Sequence, residues 1–108
     1  MSVPLVEILY FEGCPNHHGA CKLVQRLANE LGIECEVRLI DVQTAADAQK
    51  LRFLGSPTIR VNGCDVEPDA DGRGEFVHSC RIYRTNNGLG GQPDERWVRD
   101  ALAGTQAD

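Results

Sequence analysis

Hydrophobic positions along this chain recur with two different periods. Leu5 to Phe11, "LVEILYF", is nearly continuous in apolar and aromatic residues, the pattern of a strand buried on both faces. Ala20, Leu23, Val24, Leu27, Ala28 and Leu31 then follow the spacing of one helix face. Pro15 suits that helix's first turn, where a missing N–H costs nothing, and Gly32 ends it. In "IECEVRLIDV" (33–42), Ile33, Cys35, Val37 and Leu39 alternate inward against Glu34, Glu36 and Arg38, which predicts a second strand. Thr44 caps a short helix through about Leu54, closed by Gly55. "PTIRV" (57–61) predicts a third strand, and Asn62-Gly63 is the dipeptide of a tight hairpin turn, because both positions accept positive φ. A fourth strand starts at Cys64 and breaks at once. "DVEPDADGRGE" is acidic and has no apolar period, so it reads as a solvated loop. "FVHSCRIYR" (76–84) resumes an extended pattern, "TNNGLGGQ" is a loop, and "PDERWVRDALAG" closes with a helix presenting Trp97, Val98, Ala101 and Leu102.

The order is β-α-β-α-β-β-α, an α/β chain. Its strand-helix-strand opening implies a parallel pair and its hairpin adds an antiparallel edge, so the central sheet is mixed. With 108 residues, no internal repeat and no linker, it is expected to be one domain, with an ordered core over about 5–103 and a tail over 104–108. The net charge of −5 argues against nucleic acid or an anionic membrane as partner, and no apolar run approaches bilayer length. The opening "MSVPLVEILY" lacks the basic region and cleavage site of a secretory signal, so a reducing, cytoplasmic setting is expected. There, cysteines are free, catalytic or metal-bound, and five of them cannot all pair within one chain.

Cys14 stands between the first strand and the first helix. Unpaired N–H groups and the positive end of the helix dipole favour a thiolate there, which is the nucleophile of disulfide exchange. His17, one turn on, is either placed to hydrogen-bond or, when protonated, stabilise that sulfur, or is a solvated first-turn histidine, whereas His18 points to solvent. Cys21 shares the helix face, but a rise of about 1.5 Å per residue puts it about 10 Å from Cys14 in a continuous helix, beyond disulfide reach. The pair can bond only if "PNHHG" is a loop and the helix begins near Gly19; otherwise Cys21 reads as a buried or half-buried helix residue, and Cys35 reads as core. Cys14, His17, His18 and Cys21 imitate a zinc set, yet adjacent helical histidines do not converge on one tetrahedral ion, and no metal is assigned. The acidic loop imitates a calcium-binding loop but places His78 where a bidentate Glu is required.

"GCP" after the first strand, together with "GSPTI" at the third, resembles the thioredoxin-like superfamily over nearly the whole chain. More narrowly, "YFEGCPN", "GSPTI" and "SCRIYRT...G" resemble small bacterial thioredoxin-like proteins, some of which carry a loose alkylmercury-lyase label. The resemblance implies a three-layer sandwich and a cis bond before Pro57. It implies further that Ser56 offers its backbone to an extended thiol substrate, and that Pro15, Ser56, Pro57 and Arg81 line the substrate side. Glu7 is the sole acid where dithiol members bury one. The second cysteine of their C-x-x-C pair is replaced here by His17. Cys80 has several readings: it resolves a mixed disulfide on Cys14, gives a second thiolate to a metal, pairs with Cys64, or only packs. Arg81 attracts an anionic thiol or covers an edge.

The expected function is a thiol redox protein, a possible thiol-disulfide oxidoreductase, acting through the single nucleophile Cys14 in monothiol or atypical exchange. Cys14 attacks a disulfide or is oxidised to sulfenic acid, an external thiol such as glutathione or mycothiol resolves it in preference to Cys80, and His17 is its candidate neighbour. No cofactor is required, and the partner is a small or protein thiol or disulfide, with neither nucleic acid nor membrane. The alternatives are a soft-metal module for mercury or copper(I), or an interaction domain without chemistry. An uncovered strand edge near Cys80 leaves both monomer and dimer open.

Overall fold

The computed structural model describes residues 3–104. The predicted tail therefore lies outside the described residues except for Gly104. The elements are β1 (Leu5–Tyr10), α1 (His17–Leu31), β2 (Glu36–Asp41), α2 (Ala45–Lys50), β3 (Thr58–Val61), β4 (Cys64–Asp65), a 3₁₀ turn (Ala70–Gly72), β5 (Tyr83–Thr85), β6 (Gly88–Gly90) and α3 (Glu95–Gly104). Four strands form one mixed sheet in the order β2-β1-β3-β4. β1 runs parallel to β2 and antiparallel to β3, and β4 is antiparallel to β3.

Alternation along β1 divides the core. Val6 and Ile8 join Ala20, Val24 and Leu27 of α1, Ile59 and Val61 of β3, and Val98 and Leu102 of α3. Leu9 points to the opposite face and packs with Val42, Ala48 and Phe53, beside α2. Helices thus cover both faces of the sheet. Each fully buried aliphatic side chain contributes about 1.5–3 kcal/mol, so the cluster shared by α1, α3 and the two central strands dominates stability. Glu7 lies in register between Arg38 and Arg60. Among the described residues no helix is long and apolar enough to cross a membrane.

Helix ends follow local chemistry. Gly32, at φ 68°, closes α1: its own N–H bonds Asn29 O and the Ile33 N–H bonds Ala28 O, a paired C-terminal cap. Thr44 caps α2 by accepting a hydrogen bond from Asp47 N at 3.0 Å. That helix stops at Lys50, short of the predicted Leu54, because Arg52 turns left-handed (φ 56°). Arg52 N–H then bonds Gln49 O and Phe53 N–H bonds Ala48 O, while Phe53 packs on the cluster containing Ala48. The hairpin turn is as expected, with Asn62 and Gly63 both at positive φ, and the Asn62 side chain accepts from Leu5 N.

Three further expectations are corrected. Leu39 is not inward but exposed, because β2 is an outermost strand flanked on one side only. "TNNGLGGQ" is not a plain loop: Asn86-Asn87 turns β5 into β6, and Gly88 takes φ 98°. Residues 76–82 make no continuous strand; their one ladder contact is a parallel bridge between Cys80 and Ser56.

Candidate functional site

The site is assembled where β1 ends, α1 begins and β3 starts. After Tyr10 the chain turns sharply, with Cys14 N–H bonding Phe11 O at 3.0 Å. Pro15 and Asn16 complete the turn, so α1 begins at His17 and Pro15 precedes the first helical turn, exposed. Gly91 and Gln92 close over this junction. The Gln92 amide donates to Asn16 O at 2.7 Å, and any side chain at Gly91 would collide with the Asn16 amide. Cys14 is left only 2% exposed.

The Cys14 thiol donates to the carbonyl of Ser56 at 3.6 Å, and the Ser56–Pro57 peptide is cis. Residues 79–81 lie along the same stretch: Ser56 N–H bonds Ser79 O and Arg81 N–H bonds Ser56 O, both at 2.8 Å. Cys80 is therefore fixed directly beside Ser56 and carries an exposed thiol. Although exposed, the Cys80 thiol is raised above its ordinary pKa, first by partial loss of solvent against its neighbours and then by Cys14 nearby. Both cysteines are free, and each is held at Ser56: Cys14 by its thiol on the Ser56 carbonyl, Cys80 by the bridge to Ser56.

Two local features admit and hold this segment. Gly55 sits at φ +116°, and a Cβ there would fall 2.8 Å from Arg81 Cβ and 3.0 Å from its Cα. No other residue allows both that backbone and that approach. Arg81 then anchors the segment from inside. Its guanidinium, 1% exposed, bonds Asp65 at 2.8 Å, Glu67 at 2.6 Å and Thr58 Oγ1 at 3.1 Å, and lies over the Tyr83 ring. Tyr83 is fully buried and donates to Pro57 O. Alternation through 80–83 thus sends Cys80 and Ile82 outward and Arg81 and Tyr83 inward. Burial pushes the Tyr83 phenol well above its usual range, with Asp65 and Glu67 adding to the rise, so it stays protonated and able to donate.

The structure brings Cys14, Ser56, Pro57 and Cys80 together, and it revises three assigned roles. His17 does not bond the Cys14 sulfur. Its Nδ1 lies 3.0 Å from the Cys14 carbonyl, which can only accept, so Nδ1 carries the proton of that bond. The ring stacks on Tyr10, 4.3 Å between centroids, because a helical side chain leans back over the preceding turn. His18 is exposed. Ser56 has no free backbone edge for an outside strand, since its N–H and C=O are taken by residues 79–81 and Cys14. Arg81 neither meets an outside anion nor covers an edge, because two carboxylates and a hydroxyl hold it inside.

Cys21 is half-buried against the main core, and burial raises its thiol, as it does that of Cys35. Among the described residues no three of His, Cys, Asp or Glu are placed to hold one metal ion. Asp65, Glu67, Gly55 and Tyr83 were missed as site residues. The only advance signal was the R-x-Y alternation after Cys80, which looks the same in any half-buried strand. The chain matches no family model and no curated protein.

Proposed function

We propose that this chain is a thioredoxin-like thiol–disulfide redox protein whose working unit is the pair Cys14 and Cys80. One observation carries the reading: two free thiols from distant parts of the chain are both held at Ser56 beside the cis-proline, one of them on a segment anchored by a buried ion pair. The strand order β2-β1-β3-β4, with helices on both faces, supports the fold assignment. A C-x-x-C arrangement is not needed, because the second sulfur arrives from residue 80. In the forward reaction the two thiols pass two electrons to a substrate disulfide. They end as a Cys14–Cys80 disulfide while the substrate leaves as two thiols.

Equilibration with glutathione buffers of graded potential tests this. Wild type should lose two maleimide-reactive thiols together in a single two-electron transition, and Cys14→Ser and Cys80→Ser should each abolish it. A thiol count that stays constant across the range would end the redox reading. Two adjacent thiolates also suit a two-coordinate soft ion such as mercury(II) or copper(I). If that is the function, both serine variants lose the ion while wild type shows no two-electron transition.

A further inference from the structure

We propose that Cys80, not Cys14, is the sulfur that exchanges with the outside: mixed disulfides form on Cys80, and Cys14 resolves them. The inference rests on the reading of the two thiols as a redox pair, and it reverses the roles that their positions in the chain suggest.

Access decides first. Exchange requires an incoming sulfur to approach its target in line with the bond that breaks, so the target must face solvent. Cys14 is 2% exposed, roofed by residues 79–81 and by the Gly91–Gln92 turn, and its thiol is directed at the Ser56 carbonyl. Cys80 is exposed and opens into a groove of about 460 Å³ walled by Leu54, Arg73, Val77 and Ile82. A group joined to Cys80 has room there. A group joined to Cys14 would have to displace the segment that Arg81, Gly55 and Tyr83 hold in place.

The way the pair separates agrees. When an outside thiolate attacks the Cys80 sulfur of the oxidised pair, a new sulfur–sulfur bond forms there. The Cys14–Cys80 bond breaks, and its electron pair leaves with Cys14 as thiolate. The mixed disulfide stays on Cys80 because Cys80 is the sulfur that an outside thiolate can reach in line, while Cys14 is enclosed. A second outside thiolate then takes the attached group, giving the outside disulfide and a Cys80 thiolate that picks up a proton. In the reducing direction the same steps run backwards. The Cys80 thiolate attacks a substrate disulfide and releases one thiol. Cys14 then attacks the Cys80 sulfur and releases the other. The vacant Ser56 edge expected for an outside strand is not needed, because residues 79–81 already lie along it.

Oxidised glutathione is the probe, with Cys64→Ser as the background because Cys64 is also exposed. Reduced Cys14→Ser and Cys80→Ser proteins are treated alike and followed by intact mass and peptide mapping. Cys14→Ser should accumulate one stable glutathione on Cys80. Cys80→Ser should load Cys14 slower by about tenfold or more, as expected for a shielded sulfur. Cys14→Ala gives the same readout if serine perturbs the buried position. Loading of Cys14 as fast as Cys80, or faster, overturns the assignment. Failure of the background protein itself to form the Cys14–Cys80 disulfide overturns instead the redox reading beneath it, so the two failures are distinct.

Discussion

Replacing Arg81 with methionine should unfold this protein at markedly lower temperature, and the reason can be worked from the geometry. The guanidinium is 1% exposed and pairs with Asp65, whose side chain is 6% exposed, and with Glu67. Methionine fills much of the space but leaves a nearly buried carboxylate with no cation. Removing one partner of a buried pair costs about 3–5 kcal/mol, against about 0–1 kcal/mol for an exposed pair. A domain of this size holds roughly 5–15 kcal/mol in total. At about 4 °C or more per kcal/mol, the midpoint should fall by at least about 12 °C. Thermal and urea unfolding followed by circular dichroism, at neutral pH, measures it. Asp65→Asn in the same background should return part of the loss, because the stranded charge is gone, and the cycle should show coupling of about 1.5 kcal/mol or more. A loss below about 1 kcal/mol with no coupling would show that Arg81 behaves as a surface residue and does not anchor residues 79–81.

Three further outcomes follow from single contacts. Gly55→Ala puts a Cβ 2.8 Å from that of Arg81 at φ +116°, so it should lose about 1–3 kcal/mol in urea unfolding and slow diamide oxidation of the thiol pair; unchanged oxidation would separate Gly55 from the site. Thr44→Ala removes the Asp47 N–H acceptor of α2 and should cost about 1 kcal/mol, with oxidation kinetics unaffected. Iodoacetamide labelling of Cys80 against pH should show an apparent pKa above that of an ordinary thiol in wild type, shifted down in Cys14→Ala. Partial desolvation and Cys14 both raise it, and the variant removes the second cause; an upward or absent shift shows that Cys14 does not act on Cys80. The sign for stability is also set. Because folding raises this pKa, the thiol's contribution is fully present below its unfolded value and is lost as pH climbs through the folded one.

Local patterns were readable where a local interaction decides the outcome. The α1 face, the Gly32 stop, the Thr44 cap and the Asn62-Gly63 turn each depend on residues within a few positions, and each is found. The end of α2 was not readable, because a left-handed arginine rather than Gly55 turns the chain, and Phe53 burial stabilises that turn. The β5–β6 ribbon was hidden in a sequence whose glycines and asparagines suit loops and hairpins alike. At the site, Cys14 stood out through its place at a helix start. The placement of Cys80 at the same Ser56 depends on the Gly55 gap and the Arg81 ion pairs, which join distant segments and leave no periodic trace. The resemblance singled out Ser56 and Pro57 as the facing pair but reserved their edge for an outside strand, which the chain fills with its own residues.

The most direct test of the redox pair is a non-reducing peptide map of wild-type protein oxidised with one equivalent of diamide. Trypsin releases the Cys80 peptide spanning 74–81, while the peptide ending at Lys22 holds both Cys14 and Cys21, so fragmentation must locate the bond. A chain lighter by two hydrogens, with Cys80 joined to Cys14, is the predicted result. Linkage of Cys80 to Cys21 or Cys64, or of two chains to each other through Cys80 while Cys14 stays free, would contradict it.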